Sequence, residues 1–254
     1  MSSELSSPEF RQVLRYLRLS PMRETLPERI ALARQKKIPY ETFLELVLTD
    51  EMERRQSLSA QNRSKKASLD SQMVQENWDE TAKVTFDRHL FSELTTLRFL
   101  QDHHHVLILG PVGVGKTFLA TSIGHIACRR GYSVLMMRAE KMLKGLRAAR
   151  LDQTYDAEMR RLIRTDLLVV DDLGLDQLDS EGSRDLYEII VERHRSGSMV
   201  VTSNREPQEW LSTMTDPLRA QSAIDRLQNA AYELVVEGES YRKRQKPKLT
   251  EAKR

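Results

Sequence analysis

The most pointed chemistry in the sequence lies in "GPVGVGKT", where Gly110, Gly115, Lys116 and Thr117 fit the pattern G-x-x-x-x-G-K-[ST]. Glycines let successive backbone N–H groups close around phosphate oxygens. The lysine brings a point charge to the β- and γ-phosphates, the threonine hydroxyl can ligate magnesium, and the N-terminus of the following helix adds its positive end. The apolar "VLIL" before the loop and the helical pattern after it give the strand–loop–helix context that the motif requires. Pro111, Val112, Gly113 and Val114 complete the loop and Phe118 opens the helix, so residues 110–118 are expected to hold a nucleoside triphosphate.

A second constellation is "LLVVDDLG", an apolar run that ends on two carboxylates. Asp171 is placed to hold Mg2+ through its shell, and Asp172 to orient or deprotonate a water attacking the γ-phosphate. "MVVTSNR" ends another run on Asn204, which could help to hold that water; Ser203 or Asn204 could instead cap the helix "PQEWL". In "DPLRAQSAIDRLQNA", Arg219 and Arg226 share a helix face, and an arginine from a neighbouring subunit can stabilise charge on a transferring phosphate. Spacing alone does not separate that role from a solvated side chain. "RAEKMLKGLRAAR" strings Arg138, Lys141, Lys144, Arg147 and Arg150 along a helix whose Met142, Leu143 and Leu146 face inward. Such a stripe suits the backbone of duplex DNA, with salt-dependent affinity and little sequence information, or is a solvated face. The triplet at 103–105 is expected to be a solvated turn before the first core strand. The single cysteine, Cys128, excludes a disulfide framework and a cysteine-rich zinc site and is expected to be buried.

These residues need a scaffold, and the apolar runs at 106–110, 133–137, 167–172, 199–204 and 232–238 supply it. Continuous apolar strands separated by amphipathic helices describe an α/β fold, a parallel sheet with helices on both faces. Residues 8–60 read instead as short helices, with Val13, Leu14, Leu17, Phe43, Leu44, Val47 and Leu48 at helical spacing and joints near Pro21, Pro27 and Pro39. Residues 57–85 lack a sustained apolar face and read as a link or frayed helix, with Trp78 as a packing anchor. The expected organisation is a helical partner- or DNA-binding domain at 1–66, a linker at 67–85, a nucleotide domain at 86–240 and a basic tail at 241–254. Net charge is only +3 across 254 residues, but the C-terminal "YRKRQKPKLTEAKR" holds seven basic residues against one acidic, which suits a polyanion. No run is long and apolar enough to cross a membrane, and the N-terminus carries charge throughout, so the reading is a soluble, cytoplasmic chain with no membrane partner.

Taken in order, "GPVGVGKTFLA", "DLLVVDDLG", "VVTSN", "AIDRL" and "GESYR" resemble the AAA+ ATPases of the IstB and DnaC group, and "LRYLRLSPMRETL" with "ETFLELVLTDEMERR" resembles the helical start of IstB. The resemblance covers nearly the whole chain. It implies an AAA+ P-loop core of five parallel strands with the sensor strand between the two Walker strands, a small all-helical N-terminal domain and no C-terminal lid. It implies ATP and Mg2+ bound at the interfaces of a homo-oligomer, and a helper ATPase for an IstA-type transposase on duplex DNA. Lys116 and Thr117 become the Walker A pair and Asp171 and Asp172 the Walker B pair. Asn204 becomes sensor one, Arg226 the arginine finger and Arg242 a further nucleotide-interface arginine. Asp172 stands where many AAA+ proteins have Glu, one methylene shorter, which implies slow intrinsic turnover. A helicase loader of the DnaC kind shares the same core and is the nearest alternative. A small-molecule kinase would need a lid-like arginine cluster, which the sequence lacks.

Overall fold

A computed structural model describes residues 7–241. The chain divides into two compact units, Met1–Gln61 and Asn62–Arg254.

The first unit is helical. Helix α1 (Pro8–Tyr16) starts with proline, whose missing N–H costs nothing in a first turn, and the Ser7 hydroxyl accepts the Phe10 N–H at 3.1 Å. Helix α2 (Met22–Lys36) and the first part of α3 (Tyr40–Lys66) follow. Their small core is Leu14, Met22, Leu26 and Val47, with Phe10, Leu19 and Phe43 packed against it. Pro27 does not make the expected joint: it sits inside α2, where burial of Met22 and Leu26 on the same helix outweighs one lost backbone hydrogen bond. Glu51 is buried between Arg54 and Arg55, and their hydrogen bonds bring its carboxyl down to about 2.

The second unit is the α/β core. In chain order it contains β1 (Val84–Thr85), α4 (Arg88–Thr95), α5 (Arg98–Gln101), β2 (His105–Leu109), α6 (Lys116–Arg129), β3 (Val134–Arg138), α7 (Ala139–Leu151) and α8 (Tyr155–Arg164). It continues with β4 (Leu167–Asp171), α9 (Ser180–Arg193), β5 (Ser198–Ser203), α10 (Pro207–Trp210), α11 (Pro217–Asn229), β6 (Ala231–Val235) and β7 (Glu237–Gly238). Five strands form a parallel sheet in the order β3-β4-β5-β2-β6, so β5 lies between the strand that enters the glycine loop and the strand that ends on Asp171. Strand residues alternate between two cores. Val106, Ile108, Leu167, Val169 and Val200 meet α6 with α4 and α5 on one face, whereas Leu107, Leu109, Leu168, Val170, Met199 and Val201 meet α7, α8, α9 and α11 on the other. Each of the five expected runs contains a strand of this sheet; four are shifted by one residue at their ends, and the run at 232–238 divides between β6, which stops at Val235, and β7, which pairs with β1 in a separate two-stranded sheet.

The segment expected to be a linker is packed into the second unit. Ala67 and Leu69 are buried in its core, the Met136 N–H donates to the Ala67 carbonyl at 2.9 Å, and His125 of α6 bonds to Ser64 and Asp70. Sequence periodicity misses this because two or three apolar residues hold an irregular segment without giving it a period. His105 is also not solvated. It is the first residue of a central strand, fully buried, and its Nδ1 accepts the Met199 N–H at 3.2 Å. Burial, with Arg193 nearby, lowers its pKa to about 4. Cys128 is buried as expected, and burial raises its pKa. Among the described residues no helix is long and apolar enough to cross a membrane.

Candidate nucleotide site

The glycine loop is shaped by close backbone approach. Gly110 leaves β2 with φ +147°, and a Cβ there would lie 2.0 Å from the Val236 carbonyl oxygen, so only glycine fits. Gly115, at φ +101°, ends the loop and caps α6, and a Cβ on it would strike the Trp78 ring at 2.9 Å. The loop is held on its other side by the Tyr241 N–H, which donates to the Gly113 carbonyl at 2.9 Å. No side chain caps the first turn of α6, so its N–H groups point at the loop interior with the positive end of the helix dipole behind them. Lys116 is buried and its Nζ donates to the Pro111 carbonyl at 2.8 Å, which folds the ammonium back over the loop where phosphate oxygens would compete for it.

Two strand ends complete the site. Thr117 Oγ1 donates to Asp171 Oδ1 at 2.9 Å, joining the two motifs across the sheet. Thr202, fully buried on β5, donates to the same Asp171 oxygen at 2.5 Å and accepts the Asp172 N–H at 3.0 Å. Asp172 turns the chain out of β4 with φ +59°, a left-handed conformation that a short acid tolerates better than most residues. The turn is fastened to β5, because the Leu173 N–H donates to the Thr202 carbonyl and Ser203 Oγ donates to the Leu173 carbonyl at 2.6 Å. Asp171, Thr117 and Thr202 thus form a compact set of oxygen donors of the kind a hard divalent cation prefers.

Other expected residues fall at different distances from this cluster. Asn204 follows β5 and is exposed; it is not a helix cap, because Glu206 caps α10 and its N–H bonds the Glu209 carboxylate at 2.9 Å. Arg226 is half-buried on α11, folded onto Ser222 of its own helix, on the sheet face opposite α6. The structure does not bring it to Lys116 or Asp171. Arg219 pairs with Asp216 at 3.4 Å, and Arg242 lies outside the described residues. The stripe on α7 needs a correction. Arg150 is no surface cation: it forms a bidentate pair with Asp185, itself 1% exposed, and stacks over Tyr155. Lys144 and Arg147 are exposed and pair with Glu140 and Asp179, and Lys141 is exposed. Sequence spacing finds a basic face but not the acids that α9 sets against it. Lys144, Arg147 and Asp172 line one cavity of about 270 Å3 with an apolar floor that includes Leu143, Leu186 and Trp210.

Four residues have a place at the site that the sequence reading did not give them. Thr202 hides in "VVTSN", and its bond to Asp171 depends on strand order, which a sequence does not print. Trp78 meets Phe118 and Phe86 edge to face, ring centroids 5.3 and 5.6 Å away, and covers Gly115. Ser240 and Tyr241 close over Gly113.

Comparison with known proteins agrees with this geometry. The family described as "IstB-like ATP binding protein" matches residues 12–249. The chain is 33% identical over 247 residues to an ATP-binding protein of an insertion sequence from Mycobacterium tuberculosis, covering 97% of this chain and 98% of that one. It is 32% identical over 230 residues to an insertion-sequence ATP-binding protein of Geobacillus stearothermophilus, covering 91% and 92%. Among solved structures it superposes on DnaI with a TM-score of 0.56 at 20% identity, covering 65% of this chain and 90% of that one. AMPPCP-bound DnaA from Aquifex aeolicus gives a TM-score of 0.54 at 22% identity over 65% of this chain, which spans half of the DnaA chain. These likenesses establish the fold as that of AAA+ P-loop proteins.

Proposed function

Because the chain belongs to the IstB-like ATP-binding proteins, we propose that it is the ATP-hydrolysing helper of a DNA transposition reaction, assembling on duplex DNA with ATP between subunits and engaging an IstA-type transposase. The observation that carries the reading is the Thr117–Asp171 contact at 2.9 Å, which joins the phosphate loop to the acidic strand end in a chain whose relatives are insertion-sequence ATP-binding proteins. That insertion-sequence origin favours transposition over helicase loading.

The loop N–H groups of residues 110–118 and Lys116 would bind the triphosphate, and the ammonium would leave the Pro111 carbonyl for the β- and γ-phosphates. Mg2+ would be held by Thr117 Oγ1 and the Asp171 carboxylate, and it would supply neutralisation of the phosphate charge. The donor set fits the ion, since both oxygens already meet and Thr202 orients the carboxylate from behind. Asp172 would orient and accept a proton from the attacking water, with Asn204 holding that water from the next strand. Hydrolysis would stay slow until a neighbouring subunit supplies Arg226, because the chain's own Arg226 is on the wrong face of its sheet. Lys141, Lys144 and Arg147 would contact DNA phosphates.

The test compares Lys116→Ala and Asp172→Asn proteins with the unmutated one. Lys116→Ala should lose ATP-dependent assembly and DNA binding together, whereas Asp172→Asn should assemble with ATP and fail to disassemble. ATP-independent DNA binding and oligomer size in the unmutated protein would overturn the switch.

A further inference from the structure

Ser203, the last residue of β5, is fully buried and joins three parts of the nucleotide site. Its carbonyl accepts the Gly110 N–H at 3.2 Å, where β2 enters the glycine loop. Its hydroxyl donates to the Leu173 carbonyl at 2.6 Å and accepts the Arg205 N–H at 3.1 Å. One residue thus ties the phosphate loop to the turn that carries Asp172 and to the backbone on both sides of Asn204. The second lone pair of the hydroxyl is taken by Trp210, whose indole Nε1–H donates to it at 3.1 Å. A hydroxyl offers one hydrogen and two lone pairs, so with both lone pairs occupied its hydrogen is left pointing at Leu173.

Trp210 also limits the shape of the turn. It is 3% exposed, and its ring lies against Gly174, where φ is +79° and a Cβ would come within 2.4 Å of the indole Cδ1. Asp172 stands two residues before that contact. The ring is held from behind as well. A capping box of Glu206 and Glu209 starts α10, and the Thr213 hydroxyl donates to the Trp210 carbonyl at 2.7 Å. The Leu178 N–H donates to the Thr213 carbonyl at 2.8 Å, which fastens the far end of the 172–178 segment to the same stretch of chain. We infer that Trp210 is a positioning residue for ATP hydrolysis, holding the Asp172 turn and Asn204 in register with the phosphate loop through the Ser203 hydroxyl. This role presupposes Asp172 as the group that activates the attacking water. The triphosphate is held by the loop and Lys116, so a shift of the Asp172 turn slows the chemical step and leaves nucleotide affinity as it was.

The full-length chain is tested by ATP turnover with Mg2+ and duplex DNA, over ATP concentrations that separate kcat from KM. Trp210→Phe keeps an aromatic ring and removes the N–H. Ser203→Ala removes a single oxygen and reads the same link if the ring variant folds poorly. Each should lower kcat about tenfold with KM for ATP within about twofold of the unmutated chain. Because Trp210 acts through Ser203, the double variant should be no slower than Ser203→Ala alone. Ser203→Thr, which keeps the hydroxyl, should restore kcat. An unchanged kcat in Trp210→Phe, a rise in KM without a fall in kcat, or losses that multiply in the double variant would overturn the role of Trp210. Asp172→Asn separates that role from the reading beneath it. Slow turnover in Asp172→Asn with normal turnover in Trp210→Phe removes the positioning alone. Turnover in Asp172→Asn equal to that of the unmutated chain removes the water-activating role of Asp172 and the positioning with it.

Discussion

The two ends of the central strands carry buried polar clusters of opposite character. At the carboxyl ends of β4 and β5, Asp171, Thr117 and Thr202 bond side chain to side chain around one carboxylate oxygen. At the amino ends of β2 and β5, Arg193 is fully buried and donates only to backbone, to the carbonyls of Leu162, Ile163, Thr165, Asp166 and Ser198. The first cluster is made of side-chain oxygens, which can change partners without moving the backbone. The second cannot, because its acceptors are backbone carbonyls at the end of α8, in the turn into β4 and at the start of β5, which nothing mobile replaces. A buried polar group is therefore read by what its partners are, and burial alone does not mark function.

Breaking the amino-end cluster should have the largest effect. Arg193→Met strands several buried carbonyls and should cost about 3–5 kcal/mol of stability, measured by denaturant unfolding, while the folded fraction still binds ATP. At the carboxyl end the pattern inverts. Asp172→Asn should lower ATP turnover about 100-fold to 1000-fold, with a stability change within about 1 kcal/mol.

His105 sharpens the contrast through pH. Burial lowers its folded pKa to about 4 from 6.5, so the folded chain binds fewer protons than the unfolded one between those values. Its contribution is complete above pH 6.5 and is lost as pH falls through that window toward 4, up to about 3 kcal/mol in all. Thermal unfolding across pH 4–7 should show this slope, and His105→Leu should flatten it. The smallest expected effect belongs to Thr202. Thr202→Val should raise the Mg2+ concentration needed for tight nucleotide binding about tenfold, near 1.4 kcal/mol, and Thr202→Ser should restore it.

How far the sequence was legible follows the same division. The glycine loop and "VVDD" were readable because local spacing carries their chemistry, and each strand was readable because an apolar run between helices has few other uses. Contacts made across the sheet were not. Thr202 reaches Asp171 only once β5 is known to lie beside β4, and Arg150 becomes a structural residue only once α9 sets Asp185 opposite it. His105 was misread because a histidine triplet looks polar, whereas its third member begins a central strand. Trp78 was readable as an anchor, but its seat on Gly115 was not, because it joins an irregular segment to a loop.

The central claim is that the carboxyl-end cluster uses nucleotide to control assembly. It is tested most directly by the mass of the protein on a duplex DNA with ATP and Mg2+, and again after exchange to ADP. The account predicts a defined multi-subunit complex with ATP that falls apart with ADP and is absent in Lys116→Ala. The same mass and DNA occupancy in both nucleotides would contradict it.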